Sequence, residues 1–118
     1  MARGGVDAII IENLGDAPFA ATLVEPFTVA AMTRIALEVK LAAPDVAIGI
    51  NVLRNDAIAA LSVAAAVGAS FIRVNVHTGV MATDQGLIEG TARQTLLERN
   101  RLGAGSVGIA ADVLVKHA

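Results

Sequence analysis

Polar residues of chemically useful types close several apolar runs in this chain. Glu12 ends "AIIIE", Asn51 ends "AIGIN" and Asp112 ends "GIAAD". In "FIRVNVHTG", residues 71–79, Arg73, Asn75 and His77 alternate with Ile72, Val74 and Val76. Glu12 suits a general base or a metal ligand. The structural alternative is a carboxylate that neutralises Arg73, because a buried guanidinium is tolerated chiefly when paired. Asn51 and Asn75 can each donate and accept, which suits a polar ligand such as a sugar, or one another. Asn13, beside Glu12, joins the ligand-binding candidates. Along its strand Arg73 is expected deepest and paired with Glu12 or Asp112, with His77 at the mouth.

Cations flank these positions. "NVLRND", residues 51–56, puts Arg54 just before a helix start, where a guanidinium and free helix amides both attract an anion. Asn55 is the expected cap there, and a solvated Arg54 is the plainer reading. "DVLVKHA", residues 112–118, adds Lys116 and His117. Lys116 could form a Schiff base if burial depressed its pKa; otherwise it is an electrostatic or exposed lysine. The catalytic candidates are therefore Glu12, Asp112 and Lys116. The ligand-binding candidates are Asn13, Asn51, Arg54, Arg73, Asn75, His77 and His117. No H-x-x-H or comparable spacing points to a metal, and no motif names a cofactor. "GLIEG", residues 86–90, is Gly-bracketed and suits a mobile cover, but it lacks the glycine spacing and GK[ST] ending of a phosphate loop.

Composition narrows the classes. The 118 residues are enough for one domain and too few for two. Hydrophobic residues make up 55% and charged ones 17%, a packed rather than a disordered composition. The formal charge is −2 and no basic cluster stands out, so nucleic-acid binding has no electrostatic footprint. Cysteine is absent, which removes disulfides and thiolate chemistry and fits an intracellular, cytoplasmic protein. No signal peptide is expected before the first strand. The longest charge-free run, between Asp56 and Arg73, is Ala-rich, interrupted by Gly68, and shorter than the ~20 apolar residues of a spanning helix.

The elements that must carry these residues alternate. Strands are expected at 6–12, 46–53, 71–77 and 107–115. A first helix should start near Thr28 and stop at Pro44, with Met32, Ile35, Ala36 and Val39 on one apolar face. A second should run from Asn55–Asp56 to Gly68, and a third from about Glu89 to Leu102, with Ala92, Leu96 and Leu102 inward. The connection 78–88 reads as a loop. Such β-α-β-α-β-α-β order implies a parallel sheet. One sheet face collects Ile48, Ile50, Val52, Ile72, Val74 and Ile109. The other is small at the strand starts (Ala47, Gly49, Gly108, Ala110) and polar at their ends. A doubly wound sheet wants bulky apolar residues on both faces. Small-then-polar is what a (β/α) barrel interior wants, with its reactive rim at the C-terminal strand ends.

"IIIENLGDAPF", "TVAAMTRI", "IGINVLRNDAIAAL", "FIRVNVHTGVMATDQGLIEG" and "ADVLVKHA" together resemble the BtpA family, the photosystem I biogenesis and SgcQ-like group of TIM-barrel proteins. The resemblance covers nearly the whole chain. It implies an α/β fold, a partial (β/α)8 barrel similar to the ribulose-phosphate-binding barrels, with about four parallel strands and three helices. Family members run to about twice this length, as one eight-stranded barrel requires. Residues 1–118 would then form a single partial barrel domain, its second to fifth strands, lacking the usual phosphate site after strands seven and eight. Such a sheet has open edges, so the missing barrel half or a second copy is an expected partner. The resemblance also implies either a small phosphorylated or sugar-like ligand or a non-enzymatic role at a membrane complex, with an inactive fragment as the remaining alternative. Peripheral membrane association is compatible with that role, although no basic amphipathic helix is evident.

Overall fold

A computed structural model describes residues 6–13, 24–53, 55–75, 77, 80–83, 86–89 and 92–112. Strands β1 (Ala8–Glu12), β2 (Ala47–Asn51), β3 (Phe71–Val74) and β6 (Gly108–Ala111) form one sheet, β1-β2-β3-β6, with every neighbouring pair parallel. The helices are α1 (Pro26–Ala42), α2 (Ala57–Val67) and α3 (Ala92–Arg101). A short antiparallel hairpin, β4 (Val80–Thr83) with β5 (Gly86–Glu89), precedes α3. The core is thus the expected α/β arrangement of four parallel strands and three helices, consistent with part of a barrel.

The register explains the two faces. Ala8 pairs with Ala47, Ile10 with Gly49, and Glu12 with Asn51. Gly49 pairs with Phe71, Phe71 with Gly108, and Arg73 with Ala110. Because side chains alternate, these residues share one face, and Ile48, Ile50, Ile72 and Val74 share the other. The second set is 0–2% exposed and packs with Met32, Ala36, Ala60, Leu61, Val63 and Ala64. Helix α2 is almost wholly apolar because most of it has neighbours, α1 and α3 beside it and β2 and β3 beneath, and only Ala65 and Ala66 are exposed. Its many alanines keep it close to the sheet.

On the opposite face one large ring fills the space left by small residues. A Cβ on Gly49 would overlap the Phe71 ring, and a Cβ on Gly108 would lie 3.6 Å from the Phe71 Cβ. The absent side chain at Gly49 therefore has a packing reason, whereas the distance at Gly108 is ordinary van der Waals contact. Among the described residues no helix covers this face, and Ile10 is 44% exposed on it.

Several expectations need correcting. The N-cap of α1 is Glu25, without a side-chain cap, and Pro26 occupies the first turn, where its missing N–H costs nothing. Thr28 lies inside the helix. Ile35 is 52% exposed although its periodicity put it inward. Asp56, not Asn55, caps α2 through a hydrogen bond from the Ala59 N–H, 2.9 Å. Residues 80–83 and 86–89 are paired strands rather than a loop, so α3 begins at Ala92 and not near Glu89. Its buried residue is Thr95, whereas Leu96 is 40% exposed. The Gly68 stop holds: it is the left-handed C-cap of α2, at φ 71°. Lys40 then reaches from α1 to the last α2 carbonyls, donating to Val67 O at 2.9 Å and Gly68 O at 3.0 Å.

Candidate functional site

The C-terminal ends of all four parallel strands supply one connected polar cluster. Arg73 on β3 is its hub. Its Nε donates to Asp112 Oδ1 and its Nη2 to Asp112 Oδ2, both at 3.0 Å, a two-pronged pairing with the residue that follows β6. Its Nη1 donates to Glu12 Oε1 at 3.2 Å, at the end of β1. One side chain therefore ties both outer strands to β3. The Asp112 hydrogen bond, opposed by partial desolvation and helped by the Glu12 charge, raises the Arg73 pKa further above its ordinary value. Arg73 is not the deepest member: its side chain is 37% exposed, while Asn75 is 5% and Asn51 1% exposed. The reason is the uncovered face, which leaves the long guanidinium stem at the surface and the short amides beneath it.

The two amides continue the network. Asn75 Nδ2 donates to Asp112 Oδ2 at 3.2 Å. Asn51 Nδ2 donates to Asn75 Oδ1 at 3.1 Å and to the Arg73 carbonyl at 2.9 Å. Asn51 Oδ1 is buried and has no partner among the described residues. Just beyond the cluster, His77 Nδ1 is likewise buried without a partner among them. Formal charges in the cluster are two carboxylates against one guanidinium, a net −1.

Asn13 has a separate engagement. Its Oδ1 accepts from the Leu53 N–H at 2.6 Å and its Nδ2 donates to the Leu53 carbonyl at 3.1 Å. The side chain thus imitates a backbone partner and extends the β1–β2 pairing by one step, fixing the loop that leads to Asp56. Asp56 holds that loop's other end, because its Oδ2 accepts from the Val24 N–H at 2.8 Å. The N-terminal amides of α2 consequently face a carboxylate of the chain itself, which a cap at Asn55 would not provide. The spacing Asp56 to Ala59, N-cap to N3, is the sequence signal for it.

A pocket of about 220 Å³ lies against Glu12 and Asn13, lined also by Phe27, Thr28, Met32 and Ile35. It opens between β1 and α1, on the helix side, and does not reach Asn51 or Asn75. The polar cluster is the better candidate site, since it joins strand ends and carries a buried oxygen, Asn51 Oδ1, with no partner among the described residues. The structure thus brings together Glu12, Asn51, Arg73, Asn75 and Asp112. It places Asn13 next to them but bonded to Leu53. Arg54, Lys116 and His117 lie outside the described residues. Among the described residues no group of three or more His, Cys, Asp or Glu could hold a metal, and no helix is long and apolar enough to cross a membrane.

The BtpA family model matches residues 1–118. The chain is 59% identical to the photosystem I biogenesis protein BtpA of Synechocystis over 100% of its own length and 40% of that protein's. It is 53% identical to an uncharacterized protein of Pyrococcus horikoshii, covering 98% of this chain and 44% of the relative. Identity to SgcQ of Escherichia coli is 39%, covering 89% of this chain and 38% of the relative. The chain therefore spans about two fifths of the length of these relatives. No solved structure matches.

Proposed function

The chain belongs to the BtpA family, and from that premise we propose that its polar cluster is part of the binding rim for a small phosphorylated or sugar-like metabolite. One observation carries this reading. Asn51 is 1% exposed, yet its side-chain oxygen has no partner among the described residues, at the strand ends where α/β folds build their sites. Buried polar atoms are almost always hydrogen-bonded, so an unpartnered one implies a partner from elsewhere. Arg73 holds Asp112, and Asp112, Asn75 and the Arg73 carbonyl set the direction of the amides. Among the described residues Glu12 accepts from Arg73 through Oε1 alone. Its other oxygen and Asp112 are the groups that could move a proton if the bound metabolite reacts.

The test is a thermal-shift screen of sugars and sugar phosphates against the full-length protein, followed by titration. A stabilising compound should bind at least about tenfold more weakly to Asn51→Ala and Asn75→Ala, equivalent to ~1.4 kcal/mol. Unchanged affinity in both variants would remove the rim from consideration.

A second reading is favoured by the 59% identity to the Synechocystis protein, whose name assigns it to photosystem I biogenesis. On that reading the domain supports assembly of a membrane complex and performs no reaction. Replacing the corresponding segment of the Synechocystis protein with this one should then preserve photosystem I content. Loss of photosystem I despite normal accumulation of the chimera would count against it.

A further inference from the structure

We propose that the Asn51 end of the cluster is an acceptor subsite, built for a hydroxyl of the ligand and closed to its anionic group. This rests on the rim reading and specifies which part of a metabolite the cluster holds.

The hydrogen bonds of the cluster run in one direction. A carboxylate and a backbone carbonyl only accept hydrogen bonds at neutral pH. Asp112 Oδ2 therefore requires the donating end of the Asn75 amide, which sets Asn75 Oδ1 toward Asn51. Asn75 Oδ1 and the Arg73 carbonyl both then require donation from Asn51, and its Nδ2 supplies it to both. Neither amide can be reversed without setting oxygen against oxygen. The orientation is fixed from two sides, so the atom left over on Asn51 must be the acceptor, Oδ1. What satisfies it is a donor.

Charge selects the kind of donor-bearing group. Among the described residues Arg73 is the cluster's cation, and its Nε, Nη1 and Nη2 are already bonded to Asp112 and Glu12. With a net −1 across Glu12, Arg73 and Asp112, a phosphate here would meet uncompensated carboxylates. The amides of the α2 N-terminus offer no substitute, since Asp56 already faces them. A phosphorylated ligand would have to carry its phosphate elsewhere and turn its hydroxyls toward Asn51 and the remaining Glu12 oxygen.

Crystals of the full-length protein soaked separately in glycerol and in sulfate test this while the natural ligand is still unidentified. The expected result is a glycerol hydroxyl within hydrogen-bond distance of Asn51 Oδ1, and no sulfate on Arg73 or the two amides. In Asn51→Ser crystals the glycerol should be lost or displaced. Sulfate seated on Arg73 would overturn the acceptor assignment while leaving the rim reading intact. Asn51 Oδ1 bonded only to water or to an amide from the rest of the chain, in both soaks, would also overturn it. The rim reading is judged separately, by the effect of Asn75→Ala in the metabolite screen.

Discussion

The ring of Phe71 covers the backbone of Gly49, its register partner on β2, and leaves no room for a Cβ there. Gly to Ala in a strand would ordinarily help by reducing the flexibility of the unfolded chain, by about 0.5–1 kcal/mol. Here the clash with a ring attached to a neighbouring strand should reverse the sign. Gly49→Ala is expected to destabilise by about 1–3 kcal/mol, as overpacking usually does. Phe71→Leu in the same chain should recover part of that loss. Urea denaturation of the two single variants and the double variant would show a favourable coupling. Strictly additive effects would mean the ring yields without cost.

Arg73 ties β1 to β3 through Glu12, and β3 to β6 through Asp112. Arg73→Met should leave the Glu12 and Asp112 carboxylates without their shared cation. Partial exposure limits the loss to about 1–2 kcal/mol, well below that of a fully buried pair. Arg73→Lys should recover little, because a single ammonium cannot reproduce the two-pronged contact. The pH dependence has a definite sign. The folded pKa of Arg73 is raised above its ordinary value, chiefly by the Asp112 hydrogen bond. Its stabilisation is therefore complete below the unfolded value and lost only as pH rises through the folded one. The difference in urea midpoint between wild type and Arg73→Met should be the same at pH 7 and pH 10.

Asp56 closes the entry to α2 twice, through Ala59 and Val24. Asp56→Ala should remove both acceptors and cost about 1–2 kcal/mol, with the cap as the larger part. Asp56→Asn keeps one acceptor oxygen and should lose roughly half as much. Far-UV circular dichroism during thermal melting would register both. Equal midpoints for the Ala and Asn variants would mean the cap contributes little.

Period and residue size make much of this fold legible in the sequence. Alternation in "FIRVN" and "AIGIN" separates the helix-facing Ile48, Ile50, Ile72 and Val74 from Gly49, Asn51, Arg73 and Asn75, because a strand has only two faces. The pairing of Arg73 with Glu12 and Asp112 is legible for a similar reason, since a guanidinium on an interior face needs carboxylates at matching strand ends. Capping is less legible. Asn55 and Asp56 are both good caps, and one residue of helix phase decides between them. The β4–β5 hairpin escapes a periodicity reading because "VMATDQGLIEG" has two strands of only four residues each, too short for a periodic signal. Ile35 and Leu96 fit an apolar helical stripe but are exposed here, because the stripe in sequence is wider than the neighbour it meets.

Asn13 supplies the last prediction, because its amide stands in for a backbone group. Strand pairing between β1 and β2 ends at Glu12 and Asn51. Two residues later Leu53 still has a buried N–H and carbonyl to satisfy, and Asn13 meets both, accepting from the N–H at 2.6 Å and donating to the carbonyl at 3.1 Å. Asn13→Ala would strand two backbone groups beside a residue that is 6% exposed. Each unsatisfied group costs about 1–3 kcal/mol, and partial relaxation toward solvent brings the expected loss to about 2–3 kcal/mol. Asn13→Asp keeps the acceptor but replaces the donor with a second oxygen facing the Leu53 carbonyl, so it should be nearly as damaging at pH 7. It should recover below about pH 4, where a protonated carboxyl can donate again. Equilibrium denaturation of the two variants at pH 7 and at pH 4 would separate loss of the loop clamp from loss of a ligand contact. A ligand contact alone would leave the stability of the unliganded protein unchanged.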